Sequence, residues 1–334
     1  MKDSALVTVV MAVYNAEKSL EQSISSVISQ TLSRWKLICV NDGSTDLSLQ
    51  ILEDYAKNDD RILIVSKENG GPASARALAF SMVESPYAII LDADDRLTSN
   101  LLEDCVNKAI KYDADAIAPN FLIELSNGSY MDWNKSYKWG ESDCISGIDA
   151  FKRTLITPTM HGVNLWRTSL LKKFAVGDNA NYNNFNEDEY IQRILFLNCN
   201  RIYFSTNCAY IYSNNVDSIT KKFSLKQLQY VKTCEKLQNL NVEYNLDDEI
   251  VALINEYYFR IIIQLNIRIY KNRRNLSRSE YREALNFIKS KYNNIIKLKK
   301  DFHFIDKNNP WLYRLFSTNG YFLFNLTTRI FAAI

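Results

Sequence analysis

Apolar and polar positions alternate in blocks over the first 125 residues. Leu6 to Val13 is an apolar, β-branched run that ends at Tyr14-Asn15, the pattern of a buried strand. Glu17 to Gln30 carries Leu20, Ile24, Val27 and Ile28 at helical spacing, which predicts an amphipathic helix. The alternation then repeats, with strands at Trp35 to Val40, Arg61 to Ser66, Tyr87 to Leu91 and Asp115 to Leu125. Helices fall between them at Leu47 to Lys57, Ala73 to Val83 and Leu101 to Tyr112. Asp46 stands where it can cap the second helix, and Gly70-Gly71-Pro72 breaks the chain before the third. Strands alternating with helices predict βαβ units, an α/β fold with a mostly parallel sheet. Ligands bind such sheets beyond the carboxyl ends of the strands. Two polar clusters, Asn41 to Asp46 and Asp92 to Asp95, fall at those ends.

The pattern changes after residue 125. Ser126 to Thr220 reads as irregular and is rich in Asn, Tyr and Trp, apart from an apolar helix at Tyr190 to Leu197. From Leu225 onward the chain reads as helical, basic and rich in tyrosine. Trp311 to Ile334 is aromatic and apolar, but Ser317-Thr318-Asn319-Gly320, Arg314 and Arg329 interrupt it. It lacks the roughly 18 uninterrupted apolar residues of a spanning helix.

Composition narrows the classes further. Of 334 residues, 47% are apolar and 23% charged, which excludes disorder, collagen and coiled coil for the whole chain. A net charge of +2 argues against a dedicated nucleic-acid binder. That balance hides an asymmetry, because Arg260 to Lys300 holds twelve Lys/Arg against two Glu, or +10. The remainder carries about −8. The six cysteines form no C-x-x-C and no cysteine pair has a histidine near it, so a zinc site is not expected. Cys39 reads as a buried thiol. Met1-Lys2-Asp3-Ser4 leads straight into a strand without a signal-peptide pattern, and a reducing cytosol is the expected compartment.

Four clusters carry chemistry. Asp92-Ala93-Asp94-Asp95 sets three carboxylates after an apolar strand; they repel one another and invite a hard divalent cation shared with substrate phosphates. A solvated acidic turn is the alternative. Asp42, in Asn41-Asp42-Gly43-Ser44, can accept hydrogen bonds from a base or ribose, or simply close an Asx turn. Arg76 follows Gly70-Gly71-Pro72 in the first turns of a helix, where a phosphate can be held. Glu187-Asp188-Glu189 offers a general base, or merely acidity at a helix N-terminus.

In this order the clusters resemble the family 2 glycosyltransferases of GT-A fold. The matching pieces are Val9 to Asn15, Ser29-Gln30-Thr31, Val40 to Asp46, Glu68 to Gly71 through Ala75-Arg76, Leu91 to Asp95, and Asn186 to Glu189. The resemblance covers roughly residues 5 to 220. It implies a GT-A domain over residues 1–222, with a nucleotide-sugar half to about 125 and an acceptor half from 126, followed by a helical, basic region over 223–334. It implies inverting transfer from a UDP-sugar to a saccharide or glycolipid acceptor. Ala12, Tyr14 and Asn15 would line the nucleotide pocket, Asp42 would contact the uracil, and Arg76 would lie near the base or diphosphate. Asp92 would meet ribose or metal, Asp94 would bind Mn²⁺ or Mg²⁺, and Asp188 would deprotonate the acceptor. His161, Trp166 and Glu187 are candidates for acceptor binding, with core packing the alternative for Trp166 and a surface position for His161. The family usually has Pro where this chain has Ala12, and often Asn where it has Ala77. Some relatives use a His after the base as a metal ligand; here only His161, before Asp188, and distant His303 exist. A sugar-nucleotide pyrophosphorylase and an inactive carbohydrate-binding protein are the rival readings. The basic helices and aromatic tail suggest contact with an anionic membrane from the cytoplasmic side, or a lid or homo-oligomer face.

Overall fold

The structure, a computed structural model, describes residues 4–133, 140, 143–156, 160–177, 186–213, 223–301 and 320–333. His303, Trp311 and Arg314 lie outside the described residues. Two compact units divide the chain. The first holds the described residues up to 213 except Leu155, Ile156 and Asn186; the second holds those three and the described residues from 223 onward.

In the first unit β1 (Val7–Val13) lies between β2 (Trp35–Asn41) and β4 (Tyr87–Ile90), parallel to both, and β3 (Ile62–Ser66) extends the sheet beyond β2. Parallel neighbours need crossovers. The helices α1 (Leu20–Ile28), α2 (Ser48–Ala56) and α3 (Pro72–Met82) supply them. Val7, Val9, Val10, Met11 and Val13 are fully buried, because helices cover both faces of a parallel sheet and an unbroken apolar run satisfies both. α4 (Leu101–Lys111) packs Leu101, Leu102, Cys105 and Val106 into the same core, and Cys39 is buried as expected.

The second half of this sheet departs from the expected parallel pattern. β6 (Ala116–Glu124) and β10 (Ile202–Tyr212) are parallel to each other, but β9 (Leu165–Arg167) runs antiparallel between β4 and β6. β10 also pairs antiparallel with β5 (Arg96–Leu97) and β8 (Cys144–Ile145), and β6 with β7 (Tyr130–Asp132). The main order is β3-β2-β1-β4-β9-β6-β10-β5. The segment read as irregular therefore holds β7, β8, α5 (Gly147–Ile156), β9, α6 (Thr168–Phe174) and β10, while the expected helix at Tyr190 to Leu197 is α7 (Glu187–Leu197), begun three residues earlier. β10 escaped the pattern because its register shifts between Ser205 and Ala209. Polar Ser205-Thr206-Asn207 there break the alternation that marks a strand.

The second unit is helical, as the pattern predicts: α8 (Tyr230–Tyr244), α9 (Asp248–Lys271), α10 (Arg278–Ile295) and α11 (Gly320–Ala333). Asp247 caps α9 by accepting from the Ile250 amide at 2.8 Å, and Ser277 with Glu280 forms a capping box on α10. Their core joins Val231, Phe259, Ile262, Ile288, Tyr292 and Phe324. α9 is the one described helix long and apolar enough to cross a membrane, and 67% of its most apolar stretch is packed inside the protein.

Candidate active site

The ends of β1 and β2 are laced together. Asn15 has a left-handed backbone, φ +50°, and its Oδ1 accepts from the Thr45 amide at 2.8 Å. In return the Asn15 amide donates to Ser44 Oγ at 3.1 Å, and Asp46 accepts from the amides of Glu17 and Ser48. The N-cap position of α2 is Leu47, which makes no side-chain cap bond, and not the expected Asp46; Asp46 stands one residue before it and closes a short turn on to the Ser48 amide. Tyr14 stands 53% exposed beside this turn, and Ala12 on β1 pairs with Val40 on β2.

Asp42 is buried and already engaged. Oδ1 accepts from Lys67 Nζ at 2.7 Å and from the Gly70 amide at 2.9 Å; Oδ2 accepts from the Gly71 amide at 2.7 Å. The carboxylate therefore braces the turn that starts α3. Gly71 adopts φ +87° there, and Gly43 adopts φ +73° with Asn69 N only 2.9 Å from where a Cβ would stand. These are backbone conformations that glycine adopts without strain. Lys67 is a member of the site that sequence reasoning missed, since a lysine at a strand end carries no distinguishing signal.

One turn into α3, Arg76 points at two carboxylates. Its Nη2 lies 3.0 Å from Asp92 Oδ1 and its Nη1 3.0 Å from Glu187 Oε1. Burial works against the guanidinium, but Asp92, Asp188 and Glu187 outweigh it and raise its pKa. Glu187 is 4% exposed. Burial pushes its carboxyl up to about 7, Arg76 opposing and Asp188 adding. Asp188, the next residue, is exposed. The protein around it still raises its pKa through desolvation, again with Arg76 opposing. All three acids of Glu187-Asp188-Glu189 sit in the first turn of α7, where the helix dipole favours negative charge.

These groups share a cavity of about 140 Å³. Arg76, Asp92, Glu187 and Asp188 contribute its charged part. The rest is apolar, with Phe80, Ile90, Trp166, Leu171 and Leu195 among its walls. Trp166 is thus brought to Asp188, as a buried wall 1% exposed rather than a surface platform. Gln192 also lines the cavity, and its buried Nε2 has no hydrogen-bond partner among the described residues. His161 is held elsewhere: Nε2 lies 3.1 Å from the Pro119 carbonyl and the ring stacks on Phe121 at 4.9 Å. Burial pushes its pKa down to about 4, so the imidazole is neutral at pH 7. The ring is thus half-buried in packing rather than free on the surface.

The acidic run after β4 divides its labour. Asp92 holds Arg76. Asp95, 1% exposed, accepts from Tyr210 Oη at 2.8 Å and from the Ser213 amide at 2.9 Å. Burial, then Asp92, pushes it up to about 8, with Asp94 adding. Asp94 itself is partly exposed. Among the described residues no three His, Cys, Asp or Glu side chains converge as a metal cage. A single carboxylate presented by an acidic turn fits a hard cation that takes its other ligands from substrate phosphates and water.

The chain matches the Glycosyl transferase family 2 profile over residues 8–174 and belongs to that family, with the α/β architecture of the GT-A fold. It is 29% identical over 170 residues to glycosyltransferase GlyA of Streptococcus pneumoniae, 51% of this chain but 23% of GlyA. The chain likewise spans less than half the length of several other relatives. It is 26% identical over 292 residues to the cholesterol galactosyltransferase of Borreliella burgdorferi, covering 84% of this chain and 81% of that one. In fold it is similar to Staphylococcus aureus TarS 1–349, solved in complex with UDP-GlcNAc, with TM-score 0.69 and 19% identity over 98% of this chain and 88% of that one.

Proposed function

We propose that the protein transfers a sugar from a UDP-sugar to a hydroxyl of a saccharide or glycolipid acceptor, with inversion, and that Asp188 is the general base. The observation that carries this reading is the division between neighbours on α7. Glu187 is buried and spent on Arg76, while Asp188 opens on to the cavity. The acceptor O–H gives its proton to Asp188, and its oxygen attacks the anomeric carbon from the face opposite UDP. The bond to the diphosphate oxygen breaks and UDP leaves. A carboxyl raised from its usual value is a better proton acceptor when ionised. Holding donor and acceptor in line supplies much of the remaining acceleration.

The UDP-GlcNAc complex of TarS supports a UDP-linked donor. Asp42 and the Asn15 turn would form the nucleotide side, with Ala12 and Tyr14 beside it. Asp94 would hold Mn²⁺ or Mg²⁺ against the donor diphosphate; when bound, the cation offsets charge on the leaving UDP. The apolar cavity wall favours a glycolipid over a free sugar, because apolar surface rewards an apolar group beside the reacting hydroxyl. The relative named for cholesterol is in keeping with this. Such an acceptor would place the enzyme at the cytoplasmic face of a membrane. Release of UDP from a panel of UDP-sugars, with and without acceptor, tests the reading; no release from any of them would overturn it.

A further inference from the structure

The second unit carries an apolar face that nothing in the transferase reading uses. On α11, Phe322 is 79% exposed, Leu323 40%, Leu326 45% and Ile330 55%. Phe322, Leu326 and Ile330 recur every fourth residue and so form one stripe, about 12 Å long at the helical rise. Single exposed apolar residues need no explanation, but a contiguous row marks an interaction surface.

The rotation of α11 is fixed from the other side. Phe324 and Thr328 are buried, 1% and 0% exposed. Phe324 packs on Phe259 of α9 and on Tyr292 of α10, with ring centroids 6.4 and 4.4 Å apart. Asn266 of α9 donates to both Thr328 Oγ1 and Asn325 Oδ1. The stripe therefore points outward because the inner face is locked by polar and aromatic contacts together. It is not a frayed end that can roll over.

Cations flank the stripe at both ends. Lys289 of α10 lies 5.9 Å from the ring of Tyr321, at the start of α11. Toward the other end, Arg329 and Arg273 lie 5.6 and 4.1 Å from the ring of Tyr270. α11 itself contains no Asp or Glu. A second copy docking on this stripe by twofold symmetry would bring cations against cations. An anionic lipid surface instead meets the charges with opposite charge and the stripe with hydrocarbon. Two weak signals of this kind together hold a protein where either alone does not.

We propose that α11, with Lys289, Arg273 and Arg329, is a docking surface for an anionic membrane, on which α11 lies flat with Phe322, Leu326 and Ile330 inserted. This stands independently of the transferase reading. The test is co-sedimentation of the full chain with phosphatidylcholine vesicles made with and without phosphatidylglycerol. Binding is expected to need phosphatidylglycerol at low salt and to weaken in high salt. Phe322→Ser with Leu326→Ser should weaken it by about tenfold or more at either salt, since two large apolar side chains no longer leave water. Lys289→Gln with Arg273→Gln should remove only the salt-sensitive part. Thermal unfolding of each variant at the wild-type temperature confirms that the fold is intact. Wild-type protein left in the supernatant at low salt would overturn the proposal, and so would serine variants that bind as well as wild type. Loss of a wild-type dimer in the serine variants, seen by analytical ultracentrifugation without lipid binding, would assign the face to self-association instead.

Discussion

Asp42→Ala separates bracing from ligand contact. The Asp42 carboxylate accepts three hydrogen bonds, from Lys67 and from the Gly70 and Gly71 amides, at 2.7 to 2.9 Å. Its side chain is 3% exposed, that of Lys67 22%. Each bond to a charged group contributes about 1.5–3 kcal/mol, but three bonds to one group do not add, and water reaches the lysine. Truncation leaves an uncompensated cation in a largely buried site, which puts the loss near ~3–4 kcal/mol. Asp42→Asn keeps the shape and one acceptor oxygen, so about half that loss is expected. Urea unfolding followed by tryptophan fluorescence reads mainly the first unit, since Trp35, Trp133, Trp139 and Trp166 all precede residue 170 and only Trp311 follows it. UDP affinity, measured by calorimetry, should fall in both variants because the start of α3 is no longer held. An Asp42→Ala protein that unfolds within about 1 kcal/mol of wild type yet binds UDP tenfold more weakly would refute the bracing argument. The carboxylate would then act by touching the nucleotide alone.

Arg76→Met should destabilise more than Arg76→Met combined with Glu187→Gln, because the single change strands buried Glu187 without its cation. A cycle of these variants in urea should give a coupling of about 1 kcal/mol or more, and strict additivity would contradict the ion pair. The half-buried His161 has its folded pKa depressed to about 4, so the folded state binds fewer protons than the unfolded one between that value and about 6.5. The His161 contribution should be complete above about pH 6.5 and fall as the pH drops toward 4, against the opposite trend of Glu187 and Asp95, whose raised carboxyls lose stability as the pH rises toward about 7 and 8. His161→Phe, which keeps the stack on Phe121, should therefore make the protein more stable relative to wild type at about pH 4.5 than at pH 7. Chelation by EDTA should abolish UDP release, and added Mn²⁺ or Mg²⁺ should restore it in wild type but not in Asp94→Asn.

The N-terminal βα units were legible because their strands are buried on both faces and their helices on one, which writes two different periods into the chain. Cys39 likewise is buried as its apolar neighbours in sequence imply, whereas the N-cap of α2 falls one residue after Asp46. The later strands were not legible. β9 is three residues long, and β10 crosses a register shift at Ser205 to Ala209, so neither shows a clean period. The partners of the site were hidden for a different reason. Lys67 is 25 residues from Asp42, and Glu187 is 111 residues from Arg76. Sequence can name a carboxylate or a guanidinium, but only the fold decides which side chain it meets. That is why Asp42 reads as a nucleotide contact and is found bracing a turn. The charge asymmetry toward the C-terminal region was visible from composition; the outward stripe on α11 depends on which face Phe324 and Thr328 bury.

The central claim is that Asp188, not Glu187, takes the acceptor proton. It is tested most directly by the turnover number for UDP-sugar consumption in Asp188→Asn and Glu187→Gln, measured beside UDP affinity. Asp188→Asn should lower kcat by on the order of 10²–10⁴ with UDP binding almost unchanged, as loss of a general base does. Glu187→Gln should retain most of kcat once its stability is accounted for. Full turnover in Asp188→Asn, with activity lost only in Glu187→Gln, would contradict the assignment and move the base one residue back along α7.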